Sequence, residues 1–183
     1  LFPVALGANF RQPERTARWV HAGITLGAAC LVGAFLTQLS WLFDGAALLL
    51  GLGVARFLGG AVQALCGVDW RTSPTARGFW VALAGLAVTV GLGLALAGSL
   101  ASGAPTLPLL LLTQLHVSWG FLVWCGVLLG TVALIVVPMF LVTPEFPRPF
   151  ARYFAMGVLA GTVAWSAGVL AQWELADAIP GTA

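Results

Sequence analysis

The chain has 183 residues, 60% hydrophobic and only 8% charged, with a mean hydropathy of +1.00, whereas a soluble domain is about half apolar and a quarter charged. Its cations are 8 Arg with no Lys, set against 6 Asp and Glu, and no formal charge falls between Arg77 and Glu145. Those figures exclude a soluble globular enzyme, a nucleic-acid-binding module and a disordered tail, and they define an all-α integral membrane bundle whose first partner is the lipid bilayer.

The chain opens Leu1-Phe2-Pro3-Val4, which reads as the tail of a helix already under way. It lacks the charged n-region, short apolar core and small-residue cleavage site of a signal peptide. A bilayer core needs about 20 apolar residues of helix, and five segments qualify within a single transmembrane domain over 1–183. The predicted spans are residues 17–41, 45–68, 79–100, 109–140 and 154–173. The intervening runs are Ser40-Trp41-Leu42-Phe43-Asp44, Asp69 to Pro74, Ser102 to Pro108, and Pro144 to Pro149. Their Pro and Gly residues end helices, because Pro lacks a donor and Gly lacks restraint. The fourth segment is too long for one flat crossing, so it tilts or starts outside the core.

Arginines set the expected orientation. Arg11, Arg15 and Arg18 precede the first span, Arg71 and Arg77 lie between the second and third, and Arg148 and Arg152 between the fourth and fifth. The opposite side holds Asp44, an uncharged loop, Glu174 and Asp177. The positive-inside rule therefore places the N-terminus in the cytoplasm. Trp19, Trp70 and Trp80 fall near the inner interface, and Trp41 and Trp173 near the outer one, as belt residues do.

An internal repeat is legible. Pro13, Ala17, Arg18, Gly23, Gly27, Leu36 and Gln38 recur in the same order and spacing as Pro147, Ala151, Arg152, Gly157, Gly161, Leu170 and Gln172. The fifth span thus repeats the first, and the fourth repeats a span ending at Leu1. A four-span unit keeps its orientation, which makes the repeat parallel. It predicts that these residues are an excerpt of a longer chain, with at least one helix upstream of Leu1. Small residues four apart, as in Gly23/Gly27, Gly126/Gly130 and Gly157/Gly161, let helices approach closely.

Few polar groups fall at membrane depth, where ionisable residues are costly and mark functional sites. His116, in Thr113-Gln114-Leu115-His116-Val117-Ser118-Trp119-Gly120, lies in the outer third of the fourth span. Its imidazole suits haem or copper, with Gly120 leaving room for a flat macrocycle. The alternative is a histidine hydrogen-bonded to Ser or Gln on a neighbouring helix. His21, at the inner end of the first span beside Arg18, is a second candidate ligand or an ordinary interfacial residue. The two histidines sit at opposite depths and cannot easily share one metal.

Arg56 lies mid-span in Gly53-Val54-Ala55-Arg56-Phe57-Leu58-Gly59-Gly60. A guanidinium stays charged and needs an anion, carbonyls or water: a haem propionate, a lipid headgroup or a substrate anion serves, as does snorkelling with carbonyl capping. Gln63, Thr89, Thr113, Gln114, Ser118 and Gln172 are available to solvate such a site. Cys30, Cys66 and Cys125 form no CxxC pair and read as small hydrophobes. There is no nucleophilic triad, paired-carboxylate site, phosphate loop or Cys/His zinc cluster.

The run His116-x-x-x-Gly120, Trp124, Gly130, Pro138-Met139-Phe140-x-x-Thr143-Pro144-x-Phe146-Pro147 resembles a group of bacterial polytopic membrane proteins distantly similar to NnrS and to the catalytic subunit of haem-copper oxidases. The opening Leu1 to Ala8, followed by Ala17-Arg18-Trp19-Val20-His21, looks like the stretch after an earlier helix of that group. The resemblance implies a helical bundle in the bacterial inner membrane whose transmembrane histidines hold haem or copper. It ties the chain to respiratory electron transfer or to handling of NO or O2. His116 is then the carried-over ligand, with its partner on the missing upstream helix and other membrane subunits nearby. An oxidase catalytic centre needs several histidines, and this chain has two. Two other readings stand beside this one: a cofactor-free structural or assembly subunit, and a transporter with Arg56 at its substrate site.

Overall fold

The computed structural model describes residue 7 and residues 10–71, 73–103 and 108–178, with side chains as far as residue 175. Among these residues the chain forms five helices, each long and apolar enough to cross a bilayer, and no strands. They are α1 (Pro13–Thr37), α2 (Ser40–Leu65), α3 (Pro74–Ser102), α4 (Leu109–Leu141) and α5 (Arg148–Ala178). The protein is a multi-pass membrane protein. The stretches at Leu1 to Leu6 and at Ala104 to Leu107, with the span predicted to end at Leu1, lie outside the described residues.

Four of the five helices begin earlier than their apolar windows, α4 alone starting at Leu109 as predicted, because capping residues rather than hydropathy set those ends. Pro13 opens α1 and Pro74 opens α3 at first-turn positions, where the missing N–H is no loss. Ser73 caps α3, its hydroxyl accepting from the Ala76 N–H at 3.2 Å. The Ser40 to Asp44 run expected as a loop is instead helical and opens α2. The true break is two residues upstream. There Gln38 adopts a left-handed conformation (φ 56°), its backbone N–H donates to Ala34 O, and its side-chain amide donates to Phe35 O at 2.8 Å. Trp41 therefore belongs to α2, not α1. Likewise α5 starts at Arg148 rather than residue 154, since the backbone remains helical through Pro149.

α1 and α2 pack as an antiparallel pair through their backbones. A methyl added at Gly23 would lie 3.0 Å from Gly53 Cα, and one at Gly27 only 2.9 Å from Leu50 N. α3 is central and the most buried of the five, touching α2, α4 and α5. Its contact with α4 is a run of small residues, each facing a larger one across the interface. Gly78 faces Thr131, Gly85 faces Val123, Gly120 of α4 faces Thr89, and Gly93 faces His116. Two apolar clusters fill the interior. One joins Ala61 and Leu65 of α2 to Phe79 and Leu83 of α3, and the other joins Val81, Ala82, Val123, Val127 and Ala155.

The loops that carry arginines meet at one end. The Arg77 guanidinium donates to Arg152 O and to Arg71 O, both at 3.1 Å. The 2–3 and 4–5 connections therefore share a side, as the alternating charge pattern requires.

α4 is not α-helical throughout. Residues Leu109–Ser118 are α-helical, Trp119–Gly126 form a π-helix, and Val127–Leu141 return to α. Its length is thus absorbed partly by wider turns. Pro138 lies inside the last segment and Val142 ends it in a left-handed turn (φ 51°). π-turns are rare and are frequently found at functional sites; this one begins one turn after His116.

Candidate histidine cavity

His116 projects from α4 toward α3, and the glycine at position 93 is what lets it arrive. A Cβ at Gly93 would stand 3.0 Å from His116 Cε1 and 3.4 Å from Nδ1, so any side chain there would push the ring away. Seated against bare backbone, Nδ1 lies 2.9 Å from Thr89 O. A carbonyl oxygen only accepts, so the proton sits on Nδ1 and that N–H donates. The carbonyl has two lone pairs, which allows this bond beside the helix's own. In the neutral ring Nε2 then keeps its lone pair. It has no hydrogen-bond partner among the described residues, and it is not sealed into the packing.

The half-buried imidazole borders a partly open cavity of about 600 Å³ between α1, α2, α3 and α4. Leu31 and Phe35 of α1, Leu50 and Val54 of α2, and Leu94 and Ala97 of α3 make apolar walls. Thr113 and His116 supply the polar side chains, and Thr113 already donates its hydroxyl to Leu109 O at 2.7 Å. His116 Nε2 and the lone pairs of the Thr113 hydroxyl are therefore the side-chain acceptors of the residues that line the cavity. A volume of this size is that of an ordinary ligand or cofactor pocket. An anchored Nδ1–H with Nε2 turned to a ligand is the arrangement second-shell carbonyls impose on metal-binding histidines.

Other expectations for this site are revised. Gly120 leaves no room for a macrocycle, because Thr89 of α3 fills that position, with Cγ2 at 3.2 Å from an added Cβ. His116 bonds to a backbone carbonyl, not to Ser or Gln. Trp119 turns to α5, where its indole N–H donates to Ser166 Oγ at 3.1 Å, and Ser166 donates on to Thr162 O. Trp124 packs edge-on against Phe57, ring centres 6.4 Å apart, in the other half of the bundle. Gln114, Ser118 and Gln172 line a separate cleft between α4 and α5.

Arg56 and His116 are not brought together. Ala47, Leu50, Gly51 and Val54 turn one face of α2 to the cavity. Arg56, two residues past Val54, stands roughly 200° around the helix at ~100° per residue and is not among the lining residues. It is exposed, as is Gln63. His21 is exposed on α1 beside a different hollow that it shares with Thr16 and Phe57. No group of three or more His, Cys, Asp or Glu gathers around a common point among the described residues.

The features that sequence reasoning missed are Gly93 and the Thr89 carbonyl. Neither has a signature, since one is a glycine among many and the other is backbone. No family model matches the chain, and no curated protein or solved structure matches it either.

Proposed function

We propose that the protein is a haem-binding membrane subunit in which His116 Nε2 would hold the iron, serving electron transfer or the handling of a diatomic gas in a respiratory membrane. The observation that carries this reading is the His116–Thr89 bond, which holds the ring in one tautomer and leaves Nε2 bare beside an apolar cavity. Haem fits that donor set better than copper. Its porphyrin supplies four nitrogens and asks the protein for one or two axial donors. Copper needs several protein ligands, and the cavity wall offers one imidazole among the described residues. Haem supplies one-electron and gas-binding chemistry when bound. The chain's own part is to orient the imidazole, exclude water with Leu, Val and Phe side chains, and keep the Nδ1 proton on Thr89 O. Arg56 is not the propionate partner in this reading, because it stands on the far side of α2.

A bacterial inner-membrane location, a cytoplasmic N-terminus, the parallel repeat and a distant kinship with NnrS-like proteins belong to the same proposal. The seven arginines other than Arg56, which stand in loops or the opening turns of helices, support the orientation through the positive-inside rule.

The test is direct. Purify the full-length protein in mild detergent, record oxidised and dithionite-reduced visible spectra, and measure iron and copper on the same sample. A Soret band that shifts on reduction, lost in His116→Ala while the helical circular dichroism is kept, is the expected result. A colourless, metal-free protein would sink the reading. The cofactor-free assembly subunit then takes its place, favoured by the exposed Arg56 and Gln63 of α2.

A further inference from the structure

Arg56 poses a problem that the five helices do not solve. About 14 Å of helix separate it from Leu65 and about 24 Å from Ser40, at ~1.5 Å per residue. It therefore lies within a hydrocarbon core ~30 Å thick. Its side chain is exposed on the outside of the bundle, with no ion pair or hydrogen bond to any described residue. Leu52, Arg56, Gly59 and Gln63 follow one another at four-, three- and four-residue steps and are all exposed, so they form one outward stripe.

Snorkelling does not rescue it. The nearer end of α2 is the C-terminal one, and Cα–Cβ bonds in a helix tilt toward the N-terminus. The side chain thus sets out toward the middle of the membrane. An arginine left there costs ~2.5–3.5 kcal/mol even on the mildest insertion scale, and intramembrane charges are paired with one another or with carbonyls.

None of these 183 residues supplies a suitable anion. Glu14, Asp44, Asp69, Glu145, Glu174 and Asp177 all lie in loops or within about five residues of a helix end, and the one on α2, Asp44, is twelve residues from Arg56. A second copy beside the stripe would bring its carboxylates to those same end levels, so self-association leaves Arg56 unpaired. The surface does accommodate another helix. Gly59, one turn from Arg56, has nothing within 4 Å of an added Cβ, and a bare helix face there allows close backbone approach. Gln63 adds amide donors and an acceptor one turn further on.

We propose that the Leu52–Arg56–Gly59–Gln63 stripe of α2 is the docking face for a transmembrane helix of a partner subunit that carries an Asp or Glu at mid-membrane depth. The carboxylate pairs with the Arg56 guanidinium, and the Gly59 notch sets the crossing point. This inference is independent of any cofactor at His116, because the stripe and the cavity are on opposite sides of α2.

The test uses the full-length protein in its native membrane. A photo-crosslinking amino acid is placed at Leu52, and in a second sample at Leu48, which is also exposed on this side of α2. Adducts are then mapped by mass spectrometry. The expected result is attachment to one transmembrane segment of another protein with an acidic residue near its centre. Arg56→Leu, which inserts more easily than the wild type, should cut the yield by at least about tenfold, the scale of losing one partner of a desolvated charge pair. Exchanging the charges, Arg56→Glu with the partner's acid changed to Arg, should restore it. Adducts confined to lipid, to a second copy or to another part of the same polypeptide overturn the proposal. So does a partner helix without an acid, or an unchanged yield in Arg56→Leu.

Discussion

α1 and α5 share seven residues at the same spacing, a Gly-x-x-x-Gly pair among them, yet those glycines meet different surroundings. Gly23 and Gly27 are pressed into α2, within 3.0 Å of its backbone for any added Cβ, whereas Gly157 and Gly161 face open space. The difference arises on the neighbour's side. α2 presents Gly53 where α1 crosses it, so the backbones can touch. α5 meets α3 and α4 with another face, burying Ala155, Thr162 and Ser166. A Gly-x-x-x-Gly pair thus records a capacity for close approach; which helix uses it is decided by the shape opposite.

That contrast can be broken most severely at Gly27. Gly27→Leu drives a side chain into Leu50 backbone that cannot yield, and overpacking of this kind costs about 3 kcal/mol or more. Thermal unfolding in detergent should show a large fall in Tm or loss of folded protein. The same change in α5, Gly161→Leu, should leave the purified protein's stability within about 0.5 kcal/mol. Equal effects at the two sites would end the comparison.

Smaller changes sharpen it along α3. Gly93→Ala places a methyl where His116 rests, so the ring loses the Thr89 carbonyl. By the scale of second-shell losses, cofactor affinity should fall about 10–100-fold, read by haem titration into the apoprotein, with the helical content kept. Trp119→Phe removes the indole bond to Ser166, whose hydroxyl still donates to Thr162 O. A loss of about 1 kcal/mol is expected, and it should vanish when the change is made in a Ser166→Ala background. Least of all, Ser73→Ala should cost about 1 kcal/mol or less through the missing N-cap of α3, visible as faster hydrogen exchange in its first turn.

Most of the architecture was legible. The uncharged stretch between Arg77 and Glu145 names the solvent, and apolar length fixes five crossings, because each helix must satisfy its backbone internally in lipid. Boundaries were less so. The break at Gln38 depends on a left-handed residue with no glycine to announce it, and the apolar run from Leu39 onward reads as continuous span. The site was half legible. His116 stood out as a rare polar residue, but Gly120 was given the space that Thr89 occupies, and Arg56 was joined to a site on the other side of its helix.

The sequence by itself determined the environment, the number of crossings, the sharing of one end by the arginine loops, and the two residues whose burial in lipid demands explanation. Those follow from hydropathy and charge, which act residue by residue and need no neighbour. Only the tertiary structure decided which glycines are contacts, where α4 widens into a π-helix, that His116 leans on a backbone carbonyl, and that Arg56 turns outward. Each of these depends on what a second helix places opposite, and a single strand of sequence does not record its own neighbours.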